Sequence, residues 1–229
     1  MIAIATRADQ NIKGYTKYTI PIIEQYCEKW GATLEYMNGE PPVMTDDNKP
    51  HYRIMEVYDL LDKYDRVLCL DADMLILPAC PNPFEEVPEN KIGSIFEDVG
   101  SRAKYRKKYI QDIQKAWGHI GWKKGYTNAG IFLASKQHRD IFTAFEGKYW
   151  TAWGSADLHL SYQARRLGFK FHELNFKWNH MSMFTEPWNN NADRFQSYII
   201  HYAGRGVFDA NNRIEQIKRD YNKIYGNKI

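Results

Sequence analysis

The 229-residue chain contains no run of the roughly 20 apolar residues that a helix needs to cross a bilayer. It has only three cysteines (Cys27, Cys69 and Cys80), an odd number whose spacing matches no metal-ligand motif. The net charge of +3 is too small to indicate a nucleic-acid partner by itself. The apolar N-terminal stretch ends at Arg7, too early for a signal peptide. We therefore expect no integral membrane segment, no nucleic-acid partner, reduced cysteines and a cytoplasmic location.

The chain also lacks internal repeats and low-complexity tracts, and its length suits one sizeable domain. Short apolar segments typical of strands alternate with segments of helical periodicity. Strands are expected at 2–6, 33–37, 66–70, 92–96, 128–134, 169–174 and 198–201, and helices at 15–30, 51–61, 156–167 and 213–225. Pro21 is expected near the start of its helix, where proline is tolerated. This alternation predicts an α/β domain with a mostly parallel sheet.

Residues 66–77 form an apolar run that is interrupted by two carboxylates, Asp71 and Asp73. Such a run suits a strand buried on both faces of a parallel sheet, where ionised carboxylates are stable only beside cations. We expect the strand to end at Leu70 and a bend to direct both carboxylates toward one point. A divalent cation with oxygen ligands suits that pair. A turn whose aspartates bond their own backbone is the alternative.

Further motifs flank the aspartate pair in a fixed order: Tyr52-Arg53, Asn128-Ala129-Gly130, Asp157 at a helix start, and His201-Tyr202-Ala203-Gly204. Together they resemble the nucleotide-sugar glycosyltransferases of the GT-A fold, especially family eight, the glycogenin and lipopolysaccharide galactosyltransferase branch. The similarity covers most of the chain. It implies a single GT-A, Rossmann-like domain over 1–229. Residues 1–75 would be its nucleotide-binding half, 76–205 its acceptor- and sugar-binding half, and 206–229 a C-terminal helix.

The resemblance also implies roles for individual residues. Asp71, Asp73 and His201 would bind Mn²⁺ or Mg²⁺ on the donor diphosphate. The donor-binding residues would be Thr6, Arg7, Asp9, Arg53, Ala72, Glu97 and Asn128. Among them, Thr6, Arg7 and Asp9 would contact base and ribose, Arg53 the phosphates or sugar, and Asn128 the sugar hydroxyls. For Glu97 and its neighbour Asp98, hydrogen bonds to donor hydroxyls and a solvated loop both stay open. Gly130 would permit a close backbone approach.

The chain departs from family eight at two places. Where the family continues to a phosphate-binding Lys-Pro-Trp, this chain reads Arg205-Gly206-Val207-Phe208, with Arg205 as the candidate substitute. The family's Asp-Gln is replaced by Ser155-Ala156. Asp157 then resembles the general base of inverting GT-A enzymes, which deprotonates the acceptor hydroxyl. Its place in the first turn of a helix predicts a lowered pKa. We favour inversion, while retention and a purely helix-capping Asp157 stay open.

Two aromatic groups remain. The stretch 102–122 is rich in basic and aromatic residues and predicts a mobile acceptor loop or lid. Trp150, Trp153, Trp178 and Trp188 are expected mostly in the core, with one or two at the acceptor cleft.

The function predicted from these observations is metal-dependent transfer of a hexose from a nucleoside diphosphate sugar, UDP-linked by preference, to a glycan hydroxyl. Because the two departures remove known motif residues, a non-catalytic nucleotide-sugar or glycan-binding module is an alternative. A nucleotidyltransferase is disfavoured, since the loop after the first strand has one glycine where that chemistry needs a glycine-rich phosphate loop.

Overall fold

Eight strands and six α-helices follow one another in residues 1–204 and 208–226, the part of the chain that this computed structural model describes. The strands are β1 (Ile2–Thr6), β2 (Thr33–Tyr36), β3 (Arg66–Leu70), β4 (Met74–Ile76), β5 (Lys91–Phe96), β6 (Thr127–Ser135), β7 (Lys170–Glu173) and β8 (Ile199–His201). The helices are α1 (Lys13–Trp30), α2 (Val57–Lys63), α3 (Pro83–Glu86), α4 (Ala103–Trp117), α5 (Ser155–Arg166) and α6 (Arg213–Tyr225). None of these helices has an apolar stretch long enough to span a bilayer.

The central sheet has six strands in the order β2-β1-β3-β6-β5-β7, and β4 pairs separately with β8. All neighbours in the large sheet are parallel except β6, which runs antiparallel to β3 and β5. The predicted α/β fold with a mostly parallel sheet is confirmed. Because β6 is reversed, its first residues lie at the edge where β3 and β5 end, with Leu70 opposite Ile131 and Phe96 opposite Thr127. That edge carries the site described below.

Strand β3 is buried along its whole length, as its unbroken apolar sequence predicts. Leu68 and Leu70 point into the apolar layer that contains α1, whereas Val67 and Cys69 point into the layer that contains α2 and α5. The sheet therefore has a core on each face, and its polar chemistry is displaced to the strand ends. The three cysteines are buried free thiols.

Helix α1 ends as predicted at Gly31, whose φ of 67° is left-handed. The expected position of Pro21 near the helix start was wrong, because α1 begins at Lys13 and runs straight through the proline. The ring removes one backbone hydrogen bond within the helix. Burial of Ile22, Ile23 and other residues of the inward face holds the helix together across that break.

Helix α4 occupies most of the stretch for which a loop was predicted, so that prediction was wrong. Ile110 and Ile113 are buried on one side of α4, in a cluster with Trp122 and Tyr126. The buried side chain of Gln114 holds the chain after the helix: it accepts hydrogen bonds from the amides of residues 120 and 122 and donates to the carbonyl of residue 122. The sequence of α4 does contain apolar residues at helical spacing, but the many basic residues between them made this pattern hard to recognise.

Candidate functional site

The aspartate pair lies in the bend between β3 and β4. The chain leaves the sheet after Leu70 and turns before Met74, as the sequence predicted. The amide of Asp71 donates to the carbonyl of Gly130 on β6, at 2.9 Å. This bond fastens the bend to the reversed strand beside it.

His201 completes a three-residue cluster with Asp71 and Asp73. It ends β8, directly opposite Met74 on β4. Its Nε2 lies 3.5 Å from Asp71 Oδ2 and 3.4 Å from Asp73 Oδ1, and one ligand atom from each residue lies within 4.8 Å of the others. Two carboxylates and an imidazole suit Mn²⁺ or Mg²⁺ with coordination positions left for phosphate oxygens. The residues present therefore fit the predicted cation.

Asp71, Asp73 and His201 shift one another's pKa values. Burial opposes ionisation of Asp73, but His201 and Arg213 outweigh it and hold the pKa of Asp73 below its ordinary value. Burial also opposes charge on His201, yet Asp73 and Asp71 raise the His201 pKa. The Asp71 pKa is raised by desolvation and by the charge of Asp73. Since the Asp71 side chain is 58% exposed, repulsion by Asp73 is the firmer of these two causes.

Gly130 allows this cluster to form. A Cβ at this position would lie 2.6 Å from His201 Cε1 and 2.9 Å from Asp71 Oδ2. The predicted close approach at Gly130 therefore involves the protein's own side chains. Any larger residue here would displace His201 or Asp71.

A chain of buried amides orients His201. The Glu97 carboxylate accepts hydrogen bonds from Arg106 Nε at 3.0 Å and from Asn128 Nδ2 at 2.8 Å. Asn128 Oδ1 therefore faces the other way and accepts from Asn179 Nδ2 at 2.9 Å. Asn179 Oδ1 is left to pair with His201 Nδ1 at 2.8 Å, so Nδ1 is the donor. In neutral His201 this arrangement leaves the Nε2 lone pair for a cation.

Replacing Asn179 with leucine is expected to weaken Mn²⁺ binding about 10- to 100-fold, because His201 loses the partner that sets its orientation. Asn179→Asp retains an acceptor for Nδ1 and should restore part of the affinity. Mn²⁺ titration followed by electron paramagnetic resonance measures both, with the exposed Asn90→Leu as a control. Equal affinity in Asn179→Leu and wild type would exclude this role.

Asp157 lies in the first turn of α5, and its Oδ1 accepts a hydrogen bond from the Ala129 amide at 2.8 Å. The prediction of a lowered pKa was wrong. Burial raises the pKa of Asp157 to about 7, and the charge of Glu97 adds to that effect. Desolvation and a nearby like charge thus outweigh the helix terminus. A carboxyl that titrates near neutrality suits proton transfer.

The first three residues that follow Thr127 on β6 organise the whole site. Asn128 contacts Glu97 and Asn179, Ala129 binds Asp157, and Gly130 supports Asp71. The Asn128-Ala129-Gly130 motif therefore holds residues from several different elements in place.

The predicted nucleotide contacts lie at the end of β1, in differing surroundings. Thr6 is fully buried, whereas the side chains of Arg7 and Asp9 are 29% and 22% exposed. Arg53 reaches the same place: its Nη1 lies 2.6 Å from Asp9 Oδ2, and its Nε donates to the carbonyl of Gly39 at 3.0 Å. Arg53 and Asp9 thus form one ion-paired unit at this edge.

The predicted sugar contacts Asn128 and Glu97 are buried, and both are engaged within the protein. Asp98 accepts hydrogen bonds from the amides of Gly125 and Tyr126, so neither acidic residue lies in a solvated loop. Ala72 is buried, and its carbonyl accepts a hydrogen bond from the Thr19 hydroxyl at 2.6 Å. In the described part of the chain, the hydrogen bonds of these residues go to other protein groups and stabilise the local structure of the site.

Sequence reasoning missed Asn179 and Arg213. The backbone of His180 pairs with β8, and this pairing places the preceding residue, Asn179, beside His201. Arg213 begins α6, and its Nη1 lies 2.8 Å from Asp73 Oδ2. Neither belongs to a local motif, so a single sequence carries no signal for them. Arg205, the predicted phosphate-binding substitute, lies outside the described residues.

No protein-family model and no curated protein matches this sequence. Solved glycosyltransferases of the GT-A type, however, match nearly the whole chain in fold. A glycosyltransferase involved in glycosylation of the major capsid of PBCV-1 is 14% identical with a TM-score of 0.58, over 95% of this chain and 98% of that one. The galactosyltransferase LgtC, in complex with donor and acceptor sugar analogs, is 14% identical with a TM-score of 0.55, over 98% and 96%.

A further match is GlyE of Streptococcus pneumoniae TIGR4, at 13% identity and a TM-score of 0.51, over 96% of this chain and 60% of that one. These likenesses concern the fold. The chain has the GT-A fold, and its architecture is like that of LgtC, as the motif order predicted.

Proposed function

We propose that this protein is a metal-dependent glycosyltransferase that moves a hexose from a nucleoside diphosphate sugar, UDP-linked by preference, to a glycan hydroxyl. The cluster of Asp71, Asp73 and His201, at the strand-end edge of a GT-A sheet, carries the proposal. These residues would hold Mn²⁺ or Mg²⁺, which when bound supplies a Lewis acid for the diphosphate. The fold match to LgtC, which was solved with donor and acceptor sugar analogs, supports this choice.

The donor is expected to lie along the edge between β1 and the aspartate bend. Ligands of open α/β sheets bind outside the carboxyl ends of the strands. Arg7 and the Arg53–Asp9 pair lie at the end of β1, on one side of the aspartates. Their partly exposed polar groups suit hydrogen bonds to the base and ribose, and the planar guanidinium of Arg53 would suit the phosphates.

Asp157 is our candidate general base. The acceptor oxygen would form a bond to the anomeric carbon while its proton passes to the Asp157 carboxylate. The bond from the anomeric carbon to the β-phosphate oxygen would break, and its electron pair would leave with the nucleoside diphosphate. Attack from the face opposite the leaving group inverts the anomeric configuration.

Trp153 is the candidate acceptor platform. It is 54% exposed, although it lies four residues before Asp157. Its ring stacks on Tyr109 with centroids 4.2 Å apart and an interplanar angle of 22°, and the Arg106 guanidinium lies 4.4 Å from it. An exposed indole braced in this way is suited to the apolar face of a sugar ring. Trp178, by contrast, belongs to the core.

Trp153→Ala is expected to raise the acceptor KM about 10-fold, which is the scale of one lost aromatic contact. Donor hydrolysis without acceptor should be unchanged. Steady-state kinetics with varied acceptor measures this effect. Tyr105→Ala is the matched control, because Tyr105 is 59% exposed on the nearby helix α4. An unchanged acceptor KM would place the acceptor elsewhere.

The proposed function is tested by incubating the protein with Mn²⁺ and a panel of UDP-, GDP-, dTDP- and CDP-sugars, with and without acceptor glycans. Release of nucleoside diphosphate that disappears with EDTA and returns with Mn²⁺ is the expected result. Binding of a donor without turnover would instead support the non-catalytic module, and formation of a nucleoside triphosphate and a sugar phosphate when pyrophosphate is added to the nucleotide sugar would support a nucleotidyltransferase. NMR of the product anomeric centre reports inversion or retention.

A further inference from the structure

Arg213 approaches the aspartate cluster from the C-terminal helix. Its Nη1 lies 2.8 Å from Asp73 Oδ2, and its Nη2 donates to the carbonyl of Gly204. The guanidinium carbon lies 5.8 Å from the ring centroid of Tyr15. The side chain of Arg213 is 28% exposed and so can be reached from solvent. It thus brings a permanent positive charge into direct contact with a predicted cation ligand.

Helix α6 holds this arginine in place. Ile217 and Tyr221 are buried, and Tyr221 packs on Tyr18 of α1 with ring centroids 5.5 Å apart. Asp220 accepts hydrogen bonds from Arg194 Nε at 2.9 Å and from the Tyr202 hydroxyl at 3.0 Å. The backbone of Arg213 is therefore carried by a helix that is anchored along its length. Such anchoring is typical of groups that bind a ligand in a defined geometry.

We propose that Arg213 binds the diphosphate of the donor, and that its ion pair with Asp73 competes with the divalent cation. This inference rests on the proposed function. A cation on Asp73 neutralises the carboxylate and so weakens its attraction for Arg213. A diphosphate on that cation brings anionic oxygens to the same guanidinium, whose planar fork matches phosphate.

The same contact serves the reaction. As the bond to the anomeric carbon breaks, its electron pair and negative charge pass to the β-phosphate oxygen. A fixed guanidinium beside that oxygen stabilises the departing nucleoside diphosphate. Arg213 thereby supplies a fixed positive charge beside the aspartate pair, in addition to that of the cation.

Two affinities measured on Arg213→Ala test the proposal, because they should move in opposite directions. The Kd for UDP with saturating Mn²⁺, measured by calorimetry, is expected to rise about 10- to 100-fold, the effect of losing a charged hydrogen bond. The Kd for Mn²⁺ alone, measured by electron paramagnetic resonance, is expected to fall, because a competitor for Asp73 is gone. Arg213→Lys should bind UDP with intermediate affinity.

Arg219→Ala is the matched control, since Arg219 is 47% exposed on the same helix and pairs with Asp209. It should resemble wild type in both affinities, and thermal unfolding verifies that each variant is folded. An unchanged UDP affinity in Arg213→Ala, or an Mn²⁺ affinity that is unchanged or weaker, would overturn the assignment. If Arg213→Ala does not fold, Arg213→Lys decides by the same UDP criterion. Wild-type protein that binds no nucleoside diphosphate would overturn the proposed function as well, which separates the two failures.

Discussion

Replacing Asp73 with asparagine is expected to lower kcat/KM for sugar transfer about 1,000-fold, the scale of a lost Lewis-acid contribution of several kcal/mol. Asparagine keeps the shape of the side chain but removes the charge that His201 and Arg213 face. Mn²⁺ affinity should fall in the same variant. Asp62→Asn is the control, because Asp62 is exposed and pairs with Arg139. Transfer within about tenfold of wild type would contradict the metal-dependent mechanism.

The free energy of unfolding of the wild-type protein should depend on pH through the same ion pairs. The folded-state pKa of Asp73 is lowered, so its ion pairs stabilise the fold above its ordinary value of 3.8 and this contribution is lost as pH falls through the folded pKa. The His201 pKa is raised, so its contribution is present below 6.5 and is lost as pH rises through the folded pKa. In EDTA, chemical denaturation of wild type should show both losses. Asp73→Asn should abolish the loss at low pH and reduce the loss at high pH, because Asp71 still raises the pKa of His201.

Replacing Asp157 with asparagine is expected to lower kcat about 100- to 10,000-fold, the usual contribution of a general base. The wild-type rate should rise with pH through about 7, where the carboxyl ionises. That rising limb should be absent in Asp157→Asn, because asparagine does not titrate. A pH–rate profile of both proteins measures this. A retained anomeric configuration, or a variant with near-wild-type rate, would exclude Asp157 as the base.

Asp157→Asn should lower activity without lowering the free energy of unfolding. Since the folded pKa of Asp157 is raised from 3.8 to about 7, ionisation favours the unfolded chain as pH rises between those values. Asp157→Asn removes that effect while its oxygen can still accept the Ala129 amide. The variant should therefore be at least as stable as wild type at neutral pH. Loss of activity without loss of stability would separate catalysis from structure.

The elements that followed from local sequence were predicted well. Strand β3 and the bend after it were anticipated, since an apolar run can satisfy its backbone only inside a sheet and its two carboxylates must leave it. Gly31 likewise marked the end of α1, because a left-handed cap needs a glycine. The α4 segment was predicted to be a loop, because its many basic residues were given more weight than the helical spacing of its apolar residues. Pro21 was misplaced because burial of one helix face outweighed a local preference.

What the sequence by itself determined was the fold and the cluster around Asp71 and Asp73, because both follow from short-range patterns and from motif order. Only the tertiary structure decided how that cluster is charged and oriented. Asn179 and Arg213 reach it through strand pairing and helix packing across long separations. The raised pKa of Asp157 likewise depends on burial and on Glu97, which comes from another strand end. Contacts of this kind arise from packing, and no local pattern encodes them.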